Sequence, residues 1–521
     1  MSEGMAGTFR EQHNASRRCD GLRQSEATVL VLAAVLMVSC ALLLLSASGR
    51  SLWIDEHFSV AIAQESNLSS ALAHIIETER RPPLFYMMLF AWTRLAGGSD
   101  LALRIPSILW TLLLIALTAR LAHVLGQQVG LGALLIGVSP FTLLFAPMIR
   151  PYTMTAALAL AATLAFLSWR EGGRHRSLMA YIVLAGLLIW TDYSGLGVLV
   201  AQNLLVLLLV ERQRWQHWLL GQVAVILLFA PWLGVAVAHA TAGGQVEADL
   251  ARGPLGLALK LGYPVLSFGT GETIFPWDAC GGLGLLAVWL LVAYGAWSMW
   301  RRRARAALLF FLVYIIVPLL FVIFLFAFLI VQGTFVLIPS RAMAVYPALM
   351  LLLAAGLAAL PRRAAVIAAL IVAIAWATAF ANLLSGTHYH NPIYAVRMHE
   401  LANMVAGNVR PGDIVLSDRD SLFFYYYPAN ANPSNTFTDA TDIAPRLMQA
   451  QRVWLITLGR DRTRVAAPAG AILEQLARSG YQEQDQWGSG PEDDTYRKIK
   501  EMLLKRPDYR YKALVQLFVR R

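Results

Sequence analysis

Asp55 and Glu56 stand in Ser51-Leu-Trp-Ile-Asp-Glu-His57, where the first long apolar run of the chain ends. Three more polar pairs interrupt apolar sequence: Arg150 with Tyr152, Asp192 with Tyr193, and Arg341 with Tyr346. Arg80, Arg81 and Arg104 occupy comparable places. Charged side chains are costly in a bilayer and persist there when wet, paired or functional. Each alone reads most simply as a snorkelling or helix-end residue. Gathered in one layer, acids and arginines read as a cavity.

Such a set has a chemistry. Guanidinium groups stay charged and grip phosphate bidentately. A carboxylate beside them can take the proton from a hydroxyl or amine that attacks the anomeric carbon of a sugar. The arginines would stabilise charge growing on a departing lipid phosphate at the bilayer surface. A retaining reaction needs a second carboxyl group about 5 Å from the first. Adjacent Asp55 and Glu56 diverge, so one base and inversion are expected, with Asp55 as the base.

The elements that must position these residues are membrane spans. Of 521 residues 57% are hydrophobic and only 14% charged, against about 25% charged in soluble domains. A span needs about 20 apolar residues. Runs that fit or approach this lie at 26–47, 102–122, 128–148, 151–169, 178–191, 194–210, 217–238, 281–299, 306–331, 342–360 and 364–383. The run 84–96 is short and reads as interfacial. About eleven crossings then put the amino terminus inside and the carboxyl terminus outside. The basic loops Arg170–Arg176, Glu211–Arg214, Arg301–Arg305 and Pro361–Arg363 all fall inside, as the positive-inside rule asks. If 84–96 crossed, they would fall outside. The net charge of +11 is thus a topology signal, and no nucleic-acid motif accompanies it.

Residues 1–25 read as a cytoplasmic tail and 26–383 as the membrane domain. The outer loop 48–101 holds one or two amphipathic surface helices within 58–80, and a further outer loop covers 239–280. From 384 the composition changes. Strand-like runs at Asp413–Ser417 and Arg452–Leu458, with helical pattern at Ala471–Arg478, predict a small outer α/β domain over 384–521. Tyr425-Tyr-Tyr427 reads equally as a sugar-stacking patch or as core. Three scattered cysteines give neither a disulfide framework nor a zinc ribbon. No GxGxxG or P-loop marks a nucleotide site.

Several pieces, in order over about 50–350, carry a resemblance: Trp53-Ile-Asp-Glu56, Pro82-Pro-Leu-Phe-Tyr86, Leu101-Ala-Leu-Arg-Ile-Pro-Ser107, Ser139-Pro-Phe141 with Arg150-Pro-Tyr152, Thr191-Asp-Tyr193, and Arg341 opening a span. The chain resembles bacterial GT-C glycosyltransferases related to protein O-mannosyltransferases and to the lipid A aminoarabinose transferase. The resemblance implies a GT-C-like helical fold and a polyprenyl-phosphate sugar donor used on the outer, periplasmic face of a bacterial inner membrane. The acceptor would be lipopolysaccharide, another glycolipid or a protein.

It implies Asp55 as catalytic base, with Glu56 orienting it or the acceptor. Arg150, Tyr152, Arg341 and Arg81 would lie at the donor phosphate. Two positions depart from the pattern: Arg81 and Asp192 stand where many relatives carry histidine. Asp192, with Tyr193, is read as an acceptor group or second acid. No obligatory cofactor is expected, and a divalent metal is left open. The alternative is a transporter or flippase of lipid-linked sugar, which would place its charges at mid-bilayer on paired halves.

Overall fold

A computed structural model describes residues 26–79, 81–241, 254–324, 339–417, 420–427, 435–436, 447, 450–458, 467–504 and 510–520. The expected tail 1–25, Arg80 and most of the loop before Arg341 lie outside the described residues.

The membrane half is α-helical. In chain order it comprises α1 (Glu26–Ala47), α2 (Ile54–Ala63), α3 (Leu68–Thr78), α4 (Leu84–Ala96), α5 (Asp100–Val124), α6 (Val129–Val138), α7 (Pro140–Phe145) and α8 (Tyr152–Gly172). It continues with α9 (His175–Ile189), α10 (Gly195–Leu209), α11 (Trp215–Thr241), α12 (Pro254–Thr270), α13 (Ala279–Arg301), α14 (Arg305–Phe324), α15 (Tyr346–Ala359) and α16 (Arg362–Ser385). A tight turn, Pro339–Val345, leads into α15.

Eight described helices are long and apolar enough to cross a membrane. The exact count of eleven is not confirmed by length alone, since four shorter apolar helices, α4, α6, α9 and α10, stand beside these eight. The run 128–148 is broken at Ser139-Pro140 into α6 and α7, because proline lacks the N–H that would continue the helix. Helices α9 and α10 are 15 residues each, short of a full crossing by length. Helix α4, at 13 residues, is short as expected. The expected surface helices within 58–80 are α2 and α3. The expected loop 239–280 instead contains α12.

Burial sorts the helices into two classes. Helices α8 and α15 are the most enclosed. Helices α1, α11, α13 and α16 turn Leu30, Leu227, Leu286 and Ile374 outward, which in a membrane chain is the lipid face. Lipid tails are as apolar as leucine, so helix association depends on close packing and small residues. Gly295 on α13 and Gly356 on α15 supply it: a Cβ on either would collide with the main chain of the other helix, at Leu352 and Leu291 respectively.

Beyond α16 lies a five-stranded mixed sheet, with β1 (Ile414–Ser417), β2 (Asn435–Thr436), β3 (Arg452–Leu458), β4 (Tyr481–Pro491) and β5 (Tyr511–Arg520) in the order β2-β1-β3-β5-β4. Strands β1, β2 and β3 are parallel, whereas β5 runs antiparallel to β3 and β4. Four helices accompany it: α17 (Met398–Asn408), α18 (Asp420–Tyr426), α19 (Ala467–Arg478) and α20 (Asp494–Leu504). The strand period of two decides what each face buries. Ile414, Leu416, Val453 and Leu455 pack with Ile472 and Leu476 of α19. Val415, Trp454, Ile456 and Val515 point the other way and join the core that continues into the membrane half. Both expected strands and the helix at 471–478 are present, as β1, β3 and α19.

Candidate active site

Glu56 is where the site is anchored. It is the third residue of α2 and its Oε2 accepts the N–H of Trp53, the residue before the helix, at 3.2 Å. That N–H has no partner within the helix, and a glutamate at this position reaches back to it. Oε1 accepts the Ile149 N–H at 2.8 Å, and Arg104 of α5 donates to both oxygens at 2.7 and 3.2 Å. Glu56 and Arg104 are fully buried. One carboxylate therefore ties the 51–57 stretch to α5 and to the corner before α8.

With Glu56 turned inward, Asp55 projects elsewhere and is partly exposed. Among the described residues its carboxylate has no hydrogen bond or ion pair. Its main-chain oxygen accepts from Arg150 Nη1 at 2.8 Å. Arg150 also donates to Ser59 Oγ at 3.0 Å and to both oxygens of Glu79 at 3.3 and 3.5 Å. Burial alone would push the Glu79 carboxyl up, but Arg150 and Arg81 pull it below the usual carboxylate range. Burial likewise works against the charge on Arg150, yet Tyr86 and Glu79 hold that guanidinium above its ordinary value.

Arg81 arrives by a different local rule. Pro82 and Pro83 have no N–H, so the first main-chain donor at the start of α4 is Leu84, and it donates to Trp190 O at 3.0 Å. That bond joins α4 to the corner after α9 and sets Arg81 Nη1 3.3 Å from Asp192 Oδ2. Asp192 Oδ1 accepts the Ser194 N–H at 2.8 Å, an Asx turn that fixes the carboxylate. Both terminal nitrogens of Arg81 are sealed from solvent and make no hydrogen bond. The guanidinium lies 5.6 Å from the ring centre of Tyr152, whose buried hydroxyl is also without a partner.

Arg341 sits in the turn before α15, where the charges of Arg81, Asp55 and Asp192 and the Tyr152 hydroxyl act on it. Asp55, Arg150, Tyr152, Asp192, Arg81 and Arg341 are thus brought together from five separate stretches. Tyr193 faces away: its hydroxyl accepts from Trp232 Nε1 at 3.1 Å and its ring packs on Phe229. Among the described residues no three His, Cys, Asp or Glu side chains gather to hold a metal.

Glu79 was not among the expected site residues. Its signal was an acid two residues before Arg81 at the end of an amphipathic helix. Glu272, between α12 and α13, was also missed. It is buried, accepts from Ser267 Oγ at 2.9 Å and bonds Tyr263. Burial pushes its carboxyl up to about 7, with the two hydroxyls only partly offsetting the effect. Tyr394 lies between the two acids, where the charges of Glu272 and Asp55 both act on it. An isolated glutamate in Gly269-Thr-Gly-Glu-Thr273, just before a span, was the available signal.

The tyrosine run docks the C-terminal sheet region onto this site. The Tyr426 hydroxyl accepts the Leu52 N–H at 2.8 Å and donates to the Asp100 carboxylate. The Tyr425 ring meets His57 edge-on at 5.5 Å.

Comparison with known proteins extends the picture. Residues 80–234 match the family model of dolichyl-phosphate-mannose-protein mannosyltransferases. No curated protein sequence matches the chain. The fold aligns with apo ArnT from Cupriavidus metallidurans at a TM-score of 0.55 and 13% identity, covering 95% of this chain and 98% of that one. ArnT bound to undecaprenyl phosphate aligns at 0.48 and 14% identity, covering 94% and 97%. The arabinofuranosyltransferase AftD from Mycobacteria aligns at 0.53 and 14% identity, covering 94% of this chain and 39% of AftD. The shared fold and the eight long apolar helices together mark a multi-pass membrane chain with an ArnT-like fold, within which residues 80–234 carry the matched segment.

Proposed function

We propose that the chain transfers a sugar from a polyprenyl-phosphate donor to an acceptor of the cell envelope, on the periplasmic face of the inner membrane, with inversion. The observation that carries this reading is the pairing of Asp55, whose carboxylate makes no hydrogen bond or ion pair among the described residues, with the buried guanidinium of Arg81, which lies 3.3 Å from Asp192 yet makes no hydrogen bond through its terminal nitrogens. Buried polar groups are ordinarily satisfied, so orphaned donors beside a second orphan, the Tyr152 hydroxyl, favour an absent anionic ligand. A phosphate supplies the acceptor oxygens that a guanidinium fork and a hydroxyl require.

In this mechanism the acceptor O–H or N–H gives its proton to Asp55 as its oxygen or nitrogen attacks the anomeric carbon. The bond from that carbon to the phosphate oxygen breaks, and its electron pair leaves with the phosphate. Arg81 and Arg341 neutralise the charge that develops there, and Tyr152 donates a hydrogen bond. The other three acids near the cluster are engaged: Glu56 by Arg104, Glu79 by Arg150, and Asp192 by Arg81. With these three engaged, Asp55 is the acid of the cluster left to act as a base among the described residues, which favours inversion. Arg150, occupied by Asp55 O, Ser59 and Glu79, acts as a positioning residue for the Asp55 helix, and Glu56 does the same from within. Asp192 aims Arg81.

The test is Asp55→Asn in a strain lacking the native protein, with mass analysis of envelope glycolipids and glycoproteins. A general base contributes roughly a hundredfold or more, so the glycan made by the native protein should fall to trace levels while membrane insertion stays normal. Native levels of product would remove Asp55 from the chemistry.

A further inference from the structure

Arg50 makes no ion pair among the described residues, although the charge of Glu56 acts on it. It follows the end of α1, through a left-handed turn at Gly49 whose φ is +71°. Its Nη1 donates to the Leu144 carbonyl at 3.1 Å, and its Nε is sealed from solvent without a partner. Among the described residues no acid pairs with it. The other site arginines contrast with this: Arg104 has Glu56, Arg150 has Glu79, and Arg81 has Asp192. Burial lowers the affinity of Arg50 for its proton and the charge of Arg104 adds to the effect, while Tyr389 and the Glu56 carboxylate oppose it only in part. The guanidinium is half-buried with its Nε sealed, and its terminal nitrogens make no ion pair among the described residues, so an anion there would add a favourable partner.

The space beside it is a notch of about 190 Å³, lined by Arg50, Tyr389, Arg397, His399 and Glu400. Arg397 and Glu400 pair with each other at 3.1 Å, so Arg50 leaves the lining with a surplus positive charge. The notch opens where α1 and α16 end. Leu383 and Leu384 continue its wall onto α16, whose exposed Leu370 and Ile374 form a lipid-facing flank. A polar, cationic hollow joined to an apolar flank at the end of two spans has the shape of a headgroup site, with acyl chains along the helix. Its floor is Tyr394, whose ring stands edge-on to Trp53 at 5.0 Å. Arg81, Asp55 and Arg341 are not among the residues that line the notch.

We infer that this notch binds the phosphate of an anionic membrane phospholipid, with Arg50 and Arg397 as its ligands. The bound lipid completes the charge balance at the seam between the membrane helices and the outer domain. His399 crosses the same seam: its main-chain N–H donates to Ser51 Oγ at 3.1 Å, and its Nδ1 lies 2.7 Å from that oxygen.

The experiment uses the full chain purified in detergent, titrated with dihexanoyl phosphatidic acid and, separately, with inorganic phosphate, and read by thermal shift. The expected result is saturable stabilisation by the lipid, with inorganic phosphate at least about tenfold weaker. Hydrogen bonds to charged groups predict about a tenfold loss of lipid affinity in Arg50→Gln and in the more exposed Arg397→Gln. Arg397→Gln, on the surface of the outer domain, covers the case in which Arg50→Gln fails to fold. Arg81→Ala should bind the lipid like the native chain. Unchanged affinity in Arg397→Gln, equal affinity for inorganic phosphate, or loss of lipid binding in Arg81→Ala would each overturn the inference. None of these readouts depends on sugar transfer.

Discussion

Replacing Glu56 by glutamine keeps the side-chain volume and removes the charge. Glu56 accepts four hydrogen bonds, two from Arg104 and one each from the N–H groups of Trp53 and Ile149. Glutamine offers one oxygen and turns an N–H₂ group towards other donors. Arg104 is then left as a buried cation without its anion. Breaking a buried ion pair from one side costs about 3–5 kcal/mol. The double variant Glu56→Gln with Arg104→Met removes the stranded charge. Because apolar replacement of a whole buried pair is often close to neutral, the double variant should recover most of the loss. Thermal unfolding of the native chain, both single variants and the double variant in one detergent gives the coupling directly. Additive losses would refute the claim that Glu56 acts through Arg104. So would a Glu56→Gln protein of native stability that has lost sugar transfer, since Glu56 would then belong with the reacting groups.

Glu272 makes a pH prediction. Its carboxyl titrates at about 7 when folded, against an ordinary 4.5. The folded chain holds that proton while the unfolded chain releases it. Stability from this group is therefore greatest below 4.5, falls between 4.5 and 7, and carries the full penalty above 7. At about 1.4 kcal/mol per pH unit, the penalty is about 3 kcal/mol. Glu272→Gln should thus gain melting temperature over the native chain as pH rises from 5 to 8, and parallel melting curves would contradict the assignment. Tyr426→Phe removes the acceptor for the Leu52 N–H and should cost about 1–3 kcal/mol, read as a lower melting temperature with faster amide exchange at Leu52. Arg81→Ala should weaken binding of a polyprenyl phosphate about tenfold or more, and Arg81→Lys should not restore it, because an ammonium lacks the planar fork. Ligand titration by tryptophan fluorescence measures both.

The class of the protein and the identity of its polar layer were legible in the sequence because a bilayer punishes misplaced charge. Asp55, Arg150, Asp192 and Arg341 stood out against apolar runs for that reason, and the spacing of those runs put them on one side. The C-terminal sheet was legible at β1 and β3, whose apolar runs are short and bounded. Strand β4 was not, because Gln482 to Gln486 are exposed at a sheet edge and carry no alternation of burial to read. Helix α12 was hidden by Pro264 within it and by its place in an expected loop. The expected runs and the observed helices differ where helices stop short, as at Ser139-Pro140.

Only the tertiary structure decided which charges are spent on one another. The sequence places Glu56 beside Asp55 with equal claim to chemistry. A helix turns successive residues to different sides, and Arg104, 48 positions away, stands on the side of Glu56. Glu79 and Arg150 find each other across 71 positions. Such pairings depend on how helices pack, and packing in a membrane is set by small local fits such as Gly295 against α15 that leave little trace in hydrophobic pattern. Sequence selected the residues that could act; the fold leaves the Asp55 carboxylate, among the described residues of this cluster, without a hydrogen bond or ion pair.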